Sequence, residues 1–344
     1  MLNSGVDGRG EPATSRIENL LLPKTSFMAK SPLSTHGLEK TGSLASRREG
    51  FFARFSKHPA TPFLLPAVIY LFALTIYPFL YSVGASLFNL SLTSPKPPSF
   101  VGLANYKTLL SDGLFYTGLV NIGLITVSSV ILEFIIGFSI AHLFISISDI
   151  RASNFLRTIY ILPMMVTPVV VGLMWSYILD PLFGIANYIL SVFGLPPQPW
   201  FSSPTTALWS IVFINVWQWT PFLMLISMTA LMSIPKDMYE AAQIDGAKWY
   251  HIVTRIELPM IRNTVLVGVI FRIIDNFRLF DIVFATTRGG PGRSTEIISL
   301  YAYRQIFQYF NAGYGSASAV IIFIIATIIA TFAVKFLPKE AIHA

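Results

Sequence analysis

Five polar residues stand inside an apolar stretch, where they could bind a ligand or stabilise one another. They are Arg272, Asp275, Asn276, Arg278 and Asp281. The four charges alternate in sign at steps of three residues, and a helix places such residues side by side, so each charge could pair with the next. Two interpretations stay open. In the first, Arg272, Asp275 and Asn276 line a path for a ligand and hydrogen-bond its hydroxyl groups. In the second, the charges join this helix to a neighbouring helix, for example through Glu133.

The preceding apolar run carries a second polar and aromatic group, made of Asn215, Trp217, Gln218 and Trp219. Asn215, Gln218 and Trp219 share one helical sector, because they lie at i, i+3 and i+4. Amides hydrogen-bond hydroxyl groups, and aromatic faces pack against C–H groups, so this group could form one wall of a sugar site. The alternative is a belt of aromatic residues at a membrane interface.

Motifs for catalysis are missing from the sequence. It has no G-x-x-x-x-G-K-[ST] phosphate loop, no Gly-x-Ser-x-Gly and no His-Glu-x-x-His. It also has no cysteine, and its five histidines are scattered. We therefore predict no catalytic residue, no metal site and no cofactor bound by this chain.

The composition predicts a membrane protein. Of the 344 residues, 53% are hydrophobic and 12% are charged, whereas a soluble domain carries about a quarter charged residues. The net charge of +7 does not indicate nucleic acid, because the basic residues fall mostly in short segments between apolar runs. Those runs are long enough to cross a bilayer and predict an all-α membrane protein with about six transmembrane helices, near 62–88, 119–146, 156–179, 206–232, 262–285 and 316–337.

Charge placement predicts the orientation. Segments 47–58, 149–157, 234–262 and 335–339 hold 12 of the 24 Lys and Arg residues, whereas 91–117 and 180–205 together hold two. The positive-inside rule then places both termini in the cytoplasm of a multi-pass protein of the cytoplasmic membrane. Residues 1–55 are polar and predict a mostly disordered cytoplasmic tail, and 56–344 form the transmembrane domain.

One polar stretch, EAAQIDGAKWYHIVTRIELP at 240–259, interrupts the apolar runs. It opens with helix formers, breaks at Gly246 and resumes with helix formers over 247–255. This pattern predicts two short helices joined by a turn, for which Gly246 supplies the backbone freedom. Pro259 is expected to end the second helix and to open the next apolar run.

This stretch resembles the EAA loop of the integral membrane subunits of ABC importers. The family pattern is Glu-Ala-Ala, three residues, Gly, nine residues, Ile, one residue and Leu-Pro. It is met at every position by Glu240, Ala241, Ala242, Gly246, Ile256, Leu258 and Pro259. The resemblance implies the transmembrane domain of a type I ABC importer, with a cytoplasmic coupling loop at 234–262.

By the same resemblance, the loop docks into a cleft on a separate ATPase subunit, which binds ATP and Mg. Glu240 would position the coupling helix, Gly246 would form the turn, and Ala241 and Ala242 would allow close packing into the cleft. Asp245 is a further candidate contact, together with Lys248 and Arg255. For these three residues, a merely solvated face stays open as an alternative.

Further blocks resemble the sugar branch of these permeases, whose members import maltose, trehalose or glycerol phosphate. They cover 156–179, 217–247, 278–307 and 313–319. This resemblance implies a sugar permease, with a disaccharide such as maltose or trehalose as cargo. Its partners would be a second permease subunit, ABC ATPase subunits, an extracytoplasmic solute-binding protein and the lipid bilayer. The alternatives are an ion-coupled secondary sugar transporter without an ATPase, or the same scaffold carrying a polyol or glycerol phosphate.

Overall fold

The computed structural model describes residues 61–148 and 152–335. The chain divides into two compact units, Met1–Leu65 and Pro66–Ala344. The described helices and strands belong to the second unit, apart from the first residues of the helix that begins at Thr61. The predicted tail at 1–55 lies outside the described residues.

Helices dominate the described residues, and one two-residue strand pair accompanies them. The helices are α1 Thr61–Ala85, α2 Ala104–Leu110, α3 Gly113–Ser146, α4 Ser153–Met165, α5 Pro168–Ile178, α6 Ile185–Val192, α7 Pro204–Met232, α8 Lys236–Ile244, α9 Trp249–Ile252, α10 Leu258–Asn276, α11 Asp281–Ala285, α12 Ile298–Phe307 and α13 Ala312–Lys335. The strands β1 Phe88–Asn89 and β2 Ser99–Phe100 pair antiparallel. The predicted all-α class is confirmed.

In the described part of the chain, four helices are long and apolar enough to cross a membrane: α1, α3, α7 and α13. The bent pair α4 and α5 makes a fifth span if it is counted as one. Five of the six predicted runs therefore correspond to these spans. The sixth corresponds to α10 and α11, and α10 has 19 residues, a length of about 28 Å.

The run 156–179 is broken into two helices, and α4 and α5 meet at 99°. Val166 and Thr167 are both extended, with ψ of 138°. Pro168 restricts Thr167 to extended backbone and lacks an N–H, so the first helix cannot continue. The break leaves backbone carbonyls without helical partners.

The prediction of one helix over 262–285 is wrong. Helix α10 ends at Asn276, and α11 begins at Asp281. Arg278 and Asp281 therefore lie outside the helix that carries Arg272 and Asp275. The predicted ladder of four charges is not formed, because only the pair of Arg272 and Asp275 has helical i, i+3 geometry.

Pro259 also does not end a helix, contrary to the prediction. The chain runs helically from α9 through a π-helical segment, Val253–Glu257, into α10. Pro259 lies in the first turn of α10, where its missing N–H is tolerated. The second half of the polar loop is therefore continuous with α10.

Helices α3 and α7 pack closely at the centre of the fold. A Cβ atom at Gly137 of α3 would lie 2.8 Å from the backbone nitrogen of Met224 on α7. Small residues allow such approach in membrane helices. The buried apolar residues form two clusters, one containing Ile125 and Ile211 and the other containing Phe144, Met224 and Leu231.

Candidate functional site

A buried ion pair occupies the layer between the two apolar clusters. Arg272 of α10 and Glu133 of α3 both have fully buried side chains. The Arg272 Nε donates to Glu133 Oε2 and its Nη2 donates to Oε1, each at 2.8 Å. This two-pronged geometry is the strongest form of a charge-assisted hydrogen bond. The contact expected if the charges join neighbouring helices is therefore present, with Glu133 as the partner.

The rest of the guanidinium is also occupied. Its Nη1 donates to Asp275 and its Nη2 donates to the Asn276 Oδ1 at 3.2 Å. The Trp219 ring covers it, with the Arg272 Cζ 4.4 Å from the ring centroid. A guanidinium has five N–H donors, and four hydrogen bonds are made here. Arg272 thus has little capacity left for a ligand.

Amide side chains extend this network. Asn215 Nδ2 donates to Asn276 Oδ1 at 2.6 Å, and Gln218 Nε2 donates to the Val166 carbonyl at 2.9 Å, where α4 breaks. All three amides are buried, and each retains one atom without a partner: Asn215 Oδ1, Gln218 Oε1 and Asn276 Nδ2. Leaving buried polar atoms unpaired costs free energy. A ligand that hydrogen-bonds these three atoms would therefore be stabilised in this layer.

Asp275 is the charged member of this network that reaches the surface. Its side chain is 38% exposed, whereas that of Arg272 is fully buried. The Asp275 carboxylate, held in place by the Arg272 guanidinium, is therefore accessible at the surface of the chain. A carboxylate accepts hydrogen bonds from hydroxyl groups and repels anions.

Trp217 does not join the other predicted substrate-path residues. Its ring packs edge-on against Trp175, with centroids 5.4 Å apart. It lines an apolar groove of about 700 Å³ with Tyr160, Pro163 and Thr220. The structure thus brings together Asn215, Trp219, Arg272, Asp275 and Asn276, while Gln218 holds the break and Trp217 faces the groove.

The polar loop adopts the predicted turn between two helices. Helix α8 ends at Ile244, Gly246 has φ +69°, and α9 begins at Trp249. The Ala247 N–H donates to the Ala242 carbonyl at 2.9 Å, which closes the end of α8. A left-handed residue at this position favours glycine.

Several predicted coupling residues face away from the chain. Glu240, Ala241, Asp245, Gly246 and Pro259 are exposed. Ala242 is buried against its own chain, and Ile256 and Leu258 are half-buried. In this arrangement Ala242 supports the loop from the inside.

Two apolar side chains that sequence reasoning missed are among the most exposed of the loop. Ile244 is 87% exposed and Trp249 is 76% exposed. They stand on either side of the Gly246 turn, and Met238 on α8 is also exposed. The signal in the sequence was the presence of apolar residues within a polar stretch. Exposed aromatic and aliphatic groups of this kind commonly anchor a partner protein.

A comparison with known protein families supports the resemblance that the polar loop carries. Residues 133–342, more than half of the chain, match the family described as the inner membrane component of binding-protein-dependent transport systems. The chain belongs to this family. It is a transporter permease rather than an enzyme.

Curated relatives of this permease cover most of its length. The trehalose transport system permease SugA of Mycobacterium tuberculosis is 32% identical over 90% of this chain and 95% of its own. The trehalose/maltose permease MalF of Thermococcus litoralis is 37% identical over 75% of this chain and 85% of its own. The sulfoquinovosyl glycerol permease SmoG of Agrobacterium fabrum is 32% identical over 76% and 84%.

The fold of the permease is that of a known transporter. A bacterial alginate ABC transporter, solved with an alginate-bound periplasmic protein, matches with a TM-score of 0.68 and 24% identity. The match covers 79% of this chain and 91% of that chain. The predicted class, the transmembrane domain of an ABC importer, is therefore confirmed for this permease.

Proposed function

We propose that this permease carries a neutral sugar, such as trehalose or maltose, across the cytoplasmic membrane as the membrane subunit of an ATP-driven importer. The observation that best supports coupling to an ATPase is the exposed turn at Gly246. It presents the side chains of Ile244 and Trp249, which are 87% and 76% exposed. ATP and Mg would be bound by the separate ATPase subunit that receives this turn.

The cargo class is supported by the relatives. SugA and MalF are named for trehalose or for trehalose and maltose. SmoG, at similar identity, is named for the glycerol glycoside of an anionic sugar, so identity alone does not separate neutral from anionic cargo.

The polar layer favours neutral cargo. Asp275 exposes a carboxylate, and the buried guanidinium beside it is already paired with Glu133. A phosphate or sulfonate at Asp275 would meet a negative group whose neighbouring cation is already neutralised. The substrate path would therefore run past Trp219 and Asp275, where sugar hydroxyls can donate and a ring face can stack. This geometry argues against the alternative of glycerol phosphate.

Further subunits are part of the proposal. Within Leu64–Ala85 of α1, only Ala85 is buried, so lipid or a second permease must cover the rest of this helix. The family description names a binding protein, and the alginate transporter was solved with its periplasmic protein. We therefore assign a second permease subunit, ATPase subunits and an extracytoplasmic solute-binding protein as partners, with both termini in the cytoplasm.

Reconstitution tests the proposal. Proteoliposomes with the permease, its partner permease and the ATPase should accumulate labelled trehalose or maltose when ATP is inside and the loaded binding protein is outside. Ile244→Asp should abolish uptake and copurification of the ATPase, because a charge replaces an apolar anchor. Thr254→Asp, at an exposed position of the same loop, is the matched control and should retain both.

The alternatives predict other results. Uptake driven by an ion gradient without the ATPase would support a secondary transporter instead. Efficient competition by a phosphorylated or sulfonated sugar would contradict the neutral cargo.

A further inference from the structure

A buried carboxylate lies inside the coupling loop, and the function proposed above does not use it. Glu257 ends the π-helical segment and is only 3% exposed. Its Oε2 lies 2.9 Å from the His142 Nε2 of α3, and its Oε1 accepts a hydrogen bond of 3.1 Å from the Tyr239 hydroxyl of α8. A buried carboxylate is costly unless it is paired. The Tyr239 hydroxyl supplies its hydrogen bond, whereas the His142 Nε2 and the Glu257 Oε2 approach each other without hydrogen-bond geometry.

We refer to Tyr239, Glu257 and His142 as the clasp. Each member comes from a different element. Helix α8 leads to the exposed turn, while α3 and α10 lead to Glu133 and Arg272. Because Glu257 is helically continuous with α10, α3 and α10 are joined twice, once at the clasp and once in the polar layer.

The attachment of α8 is otherwise sparse. Among the described residues, the Tyr239 hydroxyl makes the one side-chain hydrogen bond from α8 to another element. Ala242 of α8 is also buried, and Tyr239 packs against the second apolar cluster. In the described part of the chain, Tyr239 is therefore the polar side-chain link from α8 to the rest of the protein.

The surroundings of the clasp favour a persistent contact between Tyr239 and Glu257. Burial, and then the Glu257 carboxylate, raises the pKa of Tyr239 to about 12, so its hydroxyl remains a donor at physiological pH. The Phe138 ring packs edge-on against His142, with centroids 4.8 Å apart. The π-helical segment beside Glu257 is a geometry that often marks functional positions in helices.

We propose that Glu257 is the positioning residue that transmits movement of the coupling helix to the membrane helices, by joining α8, α3 and α10 into one moving unit. This inference rests on the proposed function, because it assumes that an ATPase moves α8. In this arrangement Glu257 lies behind the docking face and contacts neither the ATPase nor the cargo.

The test uses the complete reconstituted importer and measures sugar uptake and ATP hydrolysis together. Glu257→Leu fills the same space without hydrogen bonds, and should lower the ratio of trehalose imported to ATP hydrolysed by about tenfold while the ATPase still copurifies. Glu257→Gln keeps an acceptor for Tyr239 and should recover most of that ratio. Thr254→Val, an exposed site on the same segment, should behave as the parent.

A second measurement follows the movement itself. The chain has no cysteine, so spin labels can be placed at Gln243→Cys on α8 and Ser146→Cys on α3, both exposed. With an intact clasp, the distance between the labels should stay the same with and without ATP and vanadate. In the Glu257→Leu background, the distance should change when nucleotide is trapped.

The outcomes separate the two proposals. Lack of ATP-dependent uptake by the parent importer would overturn the proposed function and the clasp with it. A parent that transports, together with a Glu257→Leu variant of equal ratio and equal label distances, would overturn the clasp alone. If Glu257→Leu does not assemble, Tyr239→Phe decides, since it removes one hydroxyl, and an unchanged ratio in that variant would overturn the clasp.

Discussion

At the scale of single residues, the pair of Arg272 and Glu133 shows how a membrane helix tolerates a full charge. Both oxygens of the carboxylate accept hydrogen bonds from the guanidinium, and both side chains are fully buried. Such a pair contributes little relative to apolar residues of the same volume, but removing one partner strands the other charge. The stability of the permease should therefore depend on the pair as a unit.

Glu133→Leu should destabilise the permease by about 3–5 kcal/mol, because Arg272 would lose the fully buried one of its two carboxylate partners. The double variant Glu133→Leu/Arg272→Leu should regain most of this loss. Thermal unfolding of the purified protein in nanodiscs measures both. A single variant as stable as the parent would show that another group neutralises Arg272.

Asp275 offers a contrast, because its side chain is 38% exposed. Asp275→Asn keeps an acceptor for Arg272, so unfolding should shift by less than about 1 kcal/mol. Uptake of neutral sugar should nevertheless fall, since the strongest hydroxyl acceptor of the proposed path is lost. Parallel measurement of unfolding and transport separates the roles, and a variant with parental uptake would remove Asp275 from the path.

Glycine is favoured at position 246 because of the backbone conformation there, and not because neighbouring atoms leave no room for a side chain. It has φ +69°, and a Cβ there would meet nothing within 4 Å. A β-branched residue is strained in this region by about 1–2 kcal/mol, whereas Asn adopts it more readily. Gly246→Val should therefore reduce copurification of the ATPase much more than Gly246→Asn does. Equal losses in the two variants would point to contact of the partner with the glycine itself.

At the scale of elements, the close contact between α3 and α7 sets the core of the bundle. Gly137→Ala would place a methyl group 2.8 Å from the Met224 backbone nitrogen, so the helices must separate, at a cost of about 1–3 kcal/mol. Gly123→Ala is the matched control on the same helix, because nothing lies within 4 Å of its Cβ. The difference between their unfolding temperatures measures this packing, and equal temperatures would contradict it.

Two helix breaks show what the sequence could and could not reveal about the elements. The break between α4 and α5 was signalled by Pro163 and Pro168, whose effect on the backbone is local. The break after α10 has neither proline nor glycine at 277–280. There the Ser299 hydroxyl of α12 donates to the Leu279 carbonyl, and the Phe280 ring packs against Tyr303. These contacts come from a distant segment, so no local pattern predicts them.

The candidate site was predictable to a similar degree. The EAA spacing identified the loop and its turn, and the charges in the run 262–285 identified Arg272 and a candidate partner in Glu133. Trp217 was grouped with Trp219, yet residues two apart on a helix point about 200° away from each other. The clasp was not predictable, because Glu257 and His142 are distant in sequence and meet only when α3 folds beside the loop.

At the scale of the whole molecule, the surface of the second unit is mostly that of a protein in lipid. Large apolar side chains are exposed along α1, α3 and α5, including Tyr77 at 69% and Tyr177 at 78%. Exposure of this extent would be a liability in water. The coupling loop instead exposes charged side chains, among them Glu240, Asp245 and Lys248.

The orientation of that loop can be tested on the assembled importer in sealed cells, because the absence of cysteine leaves a clean background for labelling. Ser94→Cys lies in an exposed loop between α1 and α2, and Gln243→Cys lies on α8. The excess of Lys and Arg in the loop segment 234–262 predicts that it stays in the cytoplasm. A membrane-impermeant maleimide should therefore label position 94 from outside, and position 243 only after permeabilisation. The reverse pattern would place the coupling surface on the side without ATP, and no ATPase could then drive this permease.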